Sequence, residues 1–208
     1  MRIQLKPIVV LFAFFLLVGC NKEATLSEFK YSANDFQLAC EGVNPELLKE
    51  AVYSFEDDIT NYFAQKGTKN LSQAYSRAVN LGIYGRAKYE EIASPHTIEI
   101  FNILKTDTKL WNSSGKTKSL NYNSKFVKCL ADNLADKDLK TTFNALLTTN
   151  SMSSKLFGEP LRRSAYLAIK DKYLATYIAL DMYYAKLFDV DFKKKQTNKE
   201  AAKPEDTK

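Results

Sequence analysis

The sequence has few of the residues from which metal centres and catalytic sites are usually built. It contains one histidine, His96, and three cysteines among 208 residues, and their separations match none of the ligand spacings typical of zinc sites. A histidine that acts as a general base needs a bonded partner, and the nearest acids along the chain are Glu91 and Glu99. Because His96 directly follows Ser94-Pro95, we expect it to be an exposed residue in the first turn of a helix. The sequence therefore predicts no metal site, no cofactor and no catalytic residue.

Glycine and proline are also scarce, with seven and five residues respectively. Tyrosine and phenylalanine are plentiful, at 12 and 13 residues. Over long windows the apolar residues recur at helical spacing rather than at alternate positions. This composition and this periodicity predict an all-α fold.

The central part of the chain lacks an excess of charge of either sign. Of the 30 basic residues, two lie in residues 1–19 and six in residues 193–208, which leaves 22 between them; three of the 24 acidic residues lie in 193–208, which leaves 21. The sequence pI of about 9.0 is therefore a property of the two ends. Binding to nucleic acid requires a basic patch on the folded domain, so we do not expect a nucleic-acid partner.

The N-terminus carries the most specific pattern in the sequence. Arg2 and Lys6 precede an uninterrupted apolar run of eleven residues, Ile8 to Val18, which is shorter than the roughly 20 residues that a membrane-spanning helix needs. Charge followed by a short apolar run is the pattern of a secretory signal peptide. The run closes with Leu17-Val18-Gly19-Cys20, which resembles the lipobox of bacterial lipoproteins.

This resemblance implies that Cys20 is lipidated and becomes the mature N-terminus after residues 1–19 are removed. Several acyl chains on one cysteine would anchor the protein stably to a membrane. Asn21 differs from the aspartate that is associated with retention in the inner membrane, and Lys22-Glu23 is similar to the charged tether of some lipoproteins of Bacteroidota. The resemblance therefore implies an outer-membrane lipoprotein, and it leaves open whether the protein faces the periplasm or the cell surface.

The two remaining cysteines, Cys40 and Cys129, are predicted to form a disulfide. Paired cysteines are usual in exported proteins. The bond would close a loop of nearly ninety residues and contribute about 4 kcal/mol, mainly by restricting the unfolded chain. The alternative is two buried free thiols.

Local signals mark where the helices begin and end. A proline at the first helical position after a capping residue and a capping aspartate both predict helix starts, and Gly67 predicts a stop. The expected starts are Asn44-Pro45, Ser94-Pro95, Asp136 and Glu159-Pro160.

The helix that starts at Glu159-Pro160 is expected to run to about Phe188 and to be the longest. It is apolar on nearly all sides, which is typical of a helix at the centre of a domain. We therefore expect a single bundle of about six helices packed around it.

These predictions divide the chain into four parts. Residues 1–19 are the lipoprotein signal peptide, 20–35 a flexible tether, 36–192 the all-α domain and 193–208 a disordered basic tail.

Two groups of side chains are candidates for function. Glu56-Asp57-Asp58 lie on the first helix, but without the Glu-x-x-His pairs of di-metal bundles they are expected to be a solvated charged face. Four tyrosines of the last helix, spaced by 7, 4 and 7 residues, are expected to share one face: Tyr166, Tyr173, Tyr177 and Tyr184.

Burying four phenols requires four hydrogen-bond partners, so a partly wet cleft at this tyrosine stripe could bind an aromatic, a sugar or a peptide. Core packing of the four rings is the competing interpretation. We expect a non-enzymatic, lipid-anchored envelope protein that binds a partner protein or assembles into an envelope complex. A small-ligand-binding lipoprotein that uses the stripe is the alternative.

Overall fold

The structure, a computed structural model, describes residues 25–64, 67–112 and 118–192. The predicted signal peptide, the lipidation site at Cys20 and the basic tail lie outside the described residues. Most of the described chain is helical, which confirms the all-α class. The α-helices are α1 (Pro45–Tyr62), α2 (Leu71–Ile83), α3 (Tyr89–Ile92), α4 (Pro95–Leu104), α5 (Lys125–Asp132), α6 (Lys137–Thr148), α7 (Ser154–Ser164) and α8 (Lys172–Tyr177).

A small two-stranded sheet connects α4 to α5. Strands β1 (Trp111–Asn112) and β2 (Ser119–Leu120) are antiparallel, and Trp111 lies opposite Leu120. The indole N–H of Trp111 donates to the Leu104 carbonyl at 2.7 Å, so the hairpin is fixed against the end of α4.

Side-chain caps confirm three of the four predicted helix starts. The side chain of Asn44 accepts from the backbone N–H of Glu46 at 3.0 Å before α1. Before α4, the Ser94 hydroxyl accepts from the backbone N–H of Thr97. Before α6, the Asp136 carboxylate accepts from the backbone N–H of Leu139. A cap satisfies backbone donors that have no partner within the helix, and its position is therefore readable from the sequence.

The prediction of one helix from Glu159 to Phe188 is wrong. Helix α7 already begins at Ser154, with Pro160 inside it, and continues as a 3-10 segment, Ala165–Ile169. The chain then breaks before α8, which is followed by a π-helical turn, Ile178–Tyr183, and a second 3-10 segment, Tyr184–Asp189.

Asp171 causes the break. One oxygen of its carboxylate accepts from the N–H groups of Tyr173 and Leu174 at 3.0 and 3.1 Å, and the other accepts from the N–H of Ala135 at 2.8 Å. Aspartate competes with the helix by bonding its own neighbouring backbone, and the bond to Ala135 fixes this conformation from outside the segment. The C-terminal segment is nonetheless central, because residues 174–185 are all buried.

The N-terminal segment belongs to the helical body. Ser27 donates to Glu99, and Tyr31 donates to Glu50 through its backbone N–H and to Asp57 through its hydroxyl, all at 2.6–2.7 Å. Within the predicted tether, residues 20–35, Ser27 and Tyr31 thus have acceptors on α1 and α4.

The disulfide predicted between Cys40 and Cys129 is present, with Cα atoms 5.7 Å apart. It joins the segment that precedes α1 to α5.

Candidate functional site

The four predicted tyrosines do not line a common face. Tyr166 is 50% exposed and lies in the 3-10 segment before the break. Tyr173 is partly buried, and its hydroxyl accepts from the N–H of Ala39 at 3.3 Å. The rings of Tyr177 and Tyr184 are in the core. The expected stripe required one continuous helix, and the break at Asp171 places the tyrosines in different surroundings.

Internal partners take both buried hydroxyls of this set. Tyr177 donates to the Asp181 carboxylate and Tyr184 to the Ala51 carbonyl, each at 3.1 Å. These two rings therefore pack as core residues.

Sequence reasoning missed a set of buried acids on α1. Glu56 and Asp58 are each only 6% exposed. Of the three acids that were expected to form a solvated charged face, only Asp57 is exposed. Glu56 accepts from the Tyr75 hydroxyl at 2.8 Å and from the Lys172 ammonium at 3.3 Å. Partners from α2 and α8 make this burial possible, because a buried carboxylate must be paired and hydrogen-bonded.

His96 is buried as well, contrary to the expectation of an exposed first-turn residue. Its Nε2 lies 3.0 Å from the carboxylate of Glu50, and the two side chains are 7% and 0% exposed. The Tyr31 backbone N–H bonds the other oxygen of Glu50 at 2.7 Å, and the Tyr31 ring lies 6.1 Å from the imidazole. Glu50 is 46 residues from His96, so proximity along the chain gave no signal for this pair.

Asp58, a third buried acid of α1, accepts three hydrogen bonds. Its Oδ2 accepts from the hydroxyls of Thr97 and Tyr183, both at 2.6 Å, and from the Ser94 N–H at 3.1 Å. Burial raises the pKa of the Asp58 carboxyl above its usual value, and the hydrogen bonds from Thr97 and Tyr183 oppose that rise. The group connects α1, α4 and the C-terminal segment inside the core.

A second buried carboxylate, Asp181, has a similar environment. It accepts from the hydroxyls of Tyr122 and Tyr177 at 2.5 and 3.1 Å. Burial raises the pKa of Asp181, and the hydrogen bond from Tyr122 opposes the rise. Each aspartate thus accepts a hydrogen bond from a tyrosine that is distant in the chain, Asp58 from Tyr183 and Asp181 from Tyr122. These bonds join separate segments of the core.

The candidate functional site lies instead on the outer surface of α2, beside α7. A depression of about 480 Å³ is lined there by side chains of the C-terminal end of α1, of α2 and of α7. We call this surface, with the exposed aromatic and basic side chains around it, the arginine–tyrosine face. It comprises Tyr62, Phe63, Arg77, Leu81, Tyr84, Arg86 and Arg162.

The face contains three aromatic rings. The Tyr62 ring lies 5.0 Å from that of Phe63, edge to face. Tyr84, at the end of α2, is 57% exposed, and the guanidinium of Arg86 lies 5.1 Å from the centre of its ring. Tyr84 is thus the most exposed large apolar side chain of the described chain.

Two more arginines lie at the depression. Arg77 donates to the Phe63 carbonyl at 3.4 Å. Arg162 forms two hydrogen bonds with Glu159, at 2.6 and 2.8 Å, and its pKa is raised mainly by Glu159 and also by Tyr84. Arg162 lines the depression together with Asn80 and Leu81, which belong to the last turn of α2 before Tyr84. The half-exposed Tyr166 follows Arg162 by four residues, about one helical turn.

Comparison with protein-family models, curated proteins and solved structures finds no match to this chain. Among the described residues, no helix is both long and apolar enough to cross a membrane.

Proposed function

We propose that this protein is a non-enzymatic, lipid-anchored lipoprotein of the outer membrane that binds a partner protein through the arginine–tyrosine face. Cys20 carries the lipid and holds the helical domain at the membrane surface. The observation that carries the proposal is a depression lined by Arg77 and Arg162, with exposed tyrosines at the adjoining ends of α1 and α2, Tyr62 and Tyr84.

Tyrosine and arginine are enriched at the centres of protein interfaces and dominate their energetic hot spots. A tyrosine offers a large, stiff contact surface with a polar tip, and an arginine binds a carboxylate through two parallel hydrogen bonds. The face carries Arg77, Arg86 and Arg162 against two acids, Glu159 and the Glu91 that accepts from the Tyr62 hydroxyl at 3.1 Å, so one positive charge remains in excess. The favoured partner surface is therefore acidic, with an apolar centre that fills the depression.

The internal bonding of the titratable groups supports a non-enzymatic role. His96 is bonded to Glu50, and Asp58 is bonded to Thr97 and Tyr183. A general base must reach a substrate, whereas these groups bond one another inside the core and join its helices.

Photo-crosslinking in intact cells tests the binding face. A benzoylphenylalanine at Tyr84 is expected to give one discrete adduct with an envelope protein. The same probe at Phe29, which is 43% exposed on the N-terminal segment, serves as the control and is expected to give no such adduct.

A pair of charge reversals on α7 sharpens this test. Arg162→Glu is expected to reduce the Tyr84 adduct about tenfold, the effect of losing one interface hot spot, because it reverses the charge of a side chain that lines the depression. Arg163→Glu makes the same charge change next to it, where Arg163 lines a different depression with Asp136, and is expected to leave the adduct unchanged. Equal effects of the two substitutions, or no adduct from Tyr84, would contradict the proposed face.

Membrane attachment is tested separately. Growth with an alkyne-labelled palmitate is expected to label the native protein, and Cys20→Ser is expected to abolish the label and release the protein into the soluble fraction. Protease treatment of intact cells then determines which side of the outer membrane the domain faces.

A further inference from the structure

A second depression lies beside the disulfide, between the segment that precedes α1, the turn before β1, and the start of α5. Its volume is about 750 Å³, within the range of roughly 300–1,000 Å³ that small-molecule sites occupy. We call it the disulfide groove. It shares none of its lining residues with the arginine–tyrosine face, so it is a separate candidate site.

The groove has an apolar floor. Leu110 and Phe126 line it, and both belong to the hydrophobic core, while the half-buried Val43 closes one side. Burial of an alkyl chain against such a floor contributes about 0.8 kcal/mol for each methylene group removed from water.

The edge of the groove is charged. Lys109 and Lys125 line it, both exposed, and neither forms an ion pair with any described residue. Among the described residues that line the groove, Glu41 is the one acid. The edge therefore has one positive charge in excess, and the first turn of α5, to which Lys125 belongs, adds the positive end of the helix dipole.

The walls are held in place by the surrounding chain. The disulfide fixes Cys40 to Cys129 at one side. On the other, Asn121 donates to the carbonyls of Lys109 and Leu110 through its side chain and its backbone N–H, at 3.1 and 2.8 Å. Such preorganisation reduces the entropy that a ligand loses on binding.

From this juxtaposition of an apolar floor, two lysines without ion-pair partners and fixed walls, we infer that the disulfide groove binds a small amphipathic anion. The ligand has a carboxylate or phosphate head, which contacts Lys109 and Lys125, and a short apolar body, which lies on Leu110 and Phe126. Such a molecule comes either from solution or from the phospholipid of the membrane.

Thr108→Trp, at an exposed residue of the lining, gives a direct readout. The native Trp111 is 3% exposed and is not one of the lining residues, so it supplies a constant background. The full chain is held in phosphatidylcholine vesicles and titrated with 8-bromooctanoate, whose bromine quenches tryptophan fluorescence at contact. Saturable quenching by 8-bromooctanoate is expected, with much weaker quenching by the neutral 8-bromooctanol. Equal quenching by both probes, or quenching that does not saturate, would overturn the inference.

Substitutions of the charged residues at the edge test whether charge governs binding. Removing the lysines and removing the acid should change the affinity in opposite directions. Lys109→Gln together with Lys125→Gln is expected to weaken 8-bromooctanoate binding about tenfold, the combined effect of two exposed ion contacts. Glu41→Gln is expected to strengthen it severalfold, because it removes the opposing charge. Lys137→Gln, at an exposed lysine outside the lining, is the matched control and is expected to change nothing. An unchanged affinity in the double variant would refute the site.

The lipid composition distinguishes the two sources of ligand. When phosphatidylglycerol replaces phosphatidylcholine in the vesicles, a groove that takes membrane phospholipid is expected to lose its quenching by competition. A groove that takes free amphiphiles is expected to keep its quenching by 8-bromooctanoate. Circular dichroism of each variant confirms that its helical content equals that of the native chain.

Discussion

Tyr183 and Tyr184 are neighbours in the chain, and both are buried, but their hydroxyls have different acceptors. Tyr183 donates to the Asp58 carboxylate at 2.6 Å, and Tyr184 donates to the Ala51 carbonyl at 3.1 Å. A buried hydrogen bond to a charged group contributes about 2 kcal/mol and one to a neutral group about 1 kcal/mol. We therefore expect Tyr183→Phe to lower the free energy of unfolding by about twice as much as Tyr184→Phe.

The two substitutions should also differ in their dependence on pH. Burial raises the folded-state pKa of Asp58, and the bond from Tyr183 is one of those that lower it, so Tyr183→Phe raises this pKa further. An acid whose pKa is raised by folding binds more protons in the folded state, and stability then falls as the pH rises above the unfolded value of about 4. The cost of Tyr183→Phe should therefore grow between pH 4.5 and pH 7.5, while the cost of Tyr184→Phe stays constant.

Urea unfolding followed by Trp111 fluorescence measures both costs at the two pH values. For a domain of this size, the expected costs correspond to losses in Tm of about 4–8 °C for Tyr183→Phe and about 2–4 °C for Tyr184→Phe. Asp58→Asn provides the control background, in which Tyr183→Phe should cost only about 1 kcal/mol. Equal costs for the two tyrosines, or a cost for Tyr183→Phe that does not vary with pH, would refute this account of the core.

Further predictions concern the disulfide, the break before α8 and the contact between α2 and α7. Reduction of Cys40–Cys129, which closes a separation of 89 residues, should lower the free energy of unfolding by about 4 kcal/mol, measured by thermal melts with and without dithiothreitol. Asp171→Ala should cost about 2 kcal/mol through the lost cap in urea unfolding, and Asp171→Asn clearly less, since an amide oxygen still accepts. A Cβ at Gly158 would lie 3.2 Å from Ile83 Cγ2; the overpacking costs about 1 kcal/mol and offsets the gain of about 1 kcal/mol that alanine brings to a helix interior. Gly158→Ala should therefore be close to neutral in the native chain and stabilising by about 1 kcal/mol in an Ile83→Ala background, which removes Cγ2; an equal effect in the two backgrounds would contradict this contact.

Several features followed from the sequence because they depend on residues close together in the chain. The start of α1 is set by Asn44 and Pro45, and that of α4 by Ser94, since each capping residue bonds an N–H two or three positions later. Helical periodicity likewise operates within one or two turns. The all-α class therefore needed no knowledge of the tertiary structure, and the disulfide followed from the number of cysteines and from the expectation of export that the lipobox resemblance implies.

The break in the last helix could not be read in this way. Asp171 stands in a run of apolar and basic residues that is compatible with helix on both sides, and the bond from Ala135 that fixes it comes from 36 residues away. The stripe of four tyrosines depended on the unbroken helix and failed with it.

The sequence alone determined the helical class, the starts of three helices, the disulfide and, by resemblance, the expectation of a lipidated Cys20. Only the tertiary structure decided which polar groups are inside. Asp58 and Tyr183 are 125 residues apart, and a projection of α1 alone places the acid at the edge of its apolar stripe. Whether a carboxylate is solvated or buried depends on the donors that other helices bring to it, and that choice belongs to packing rather than to local sequence.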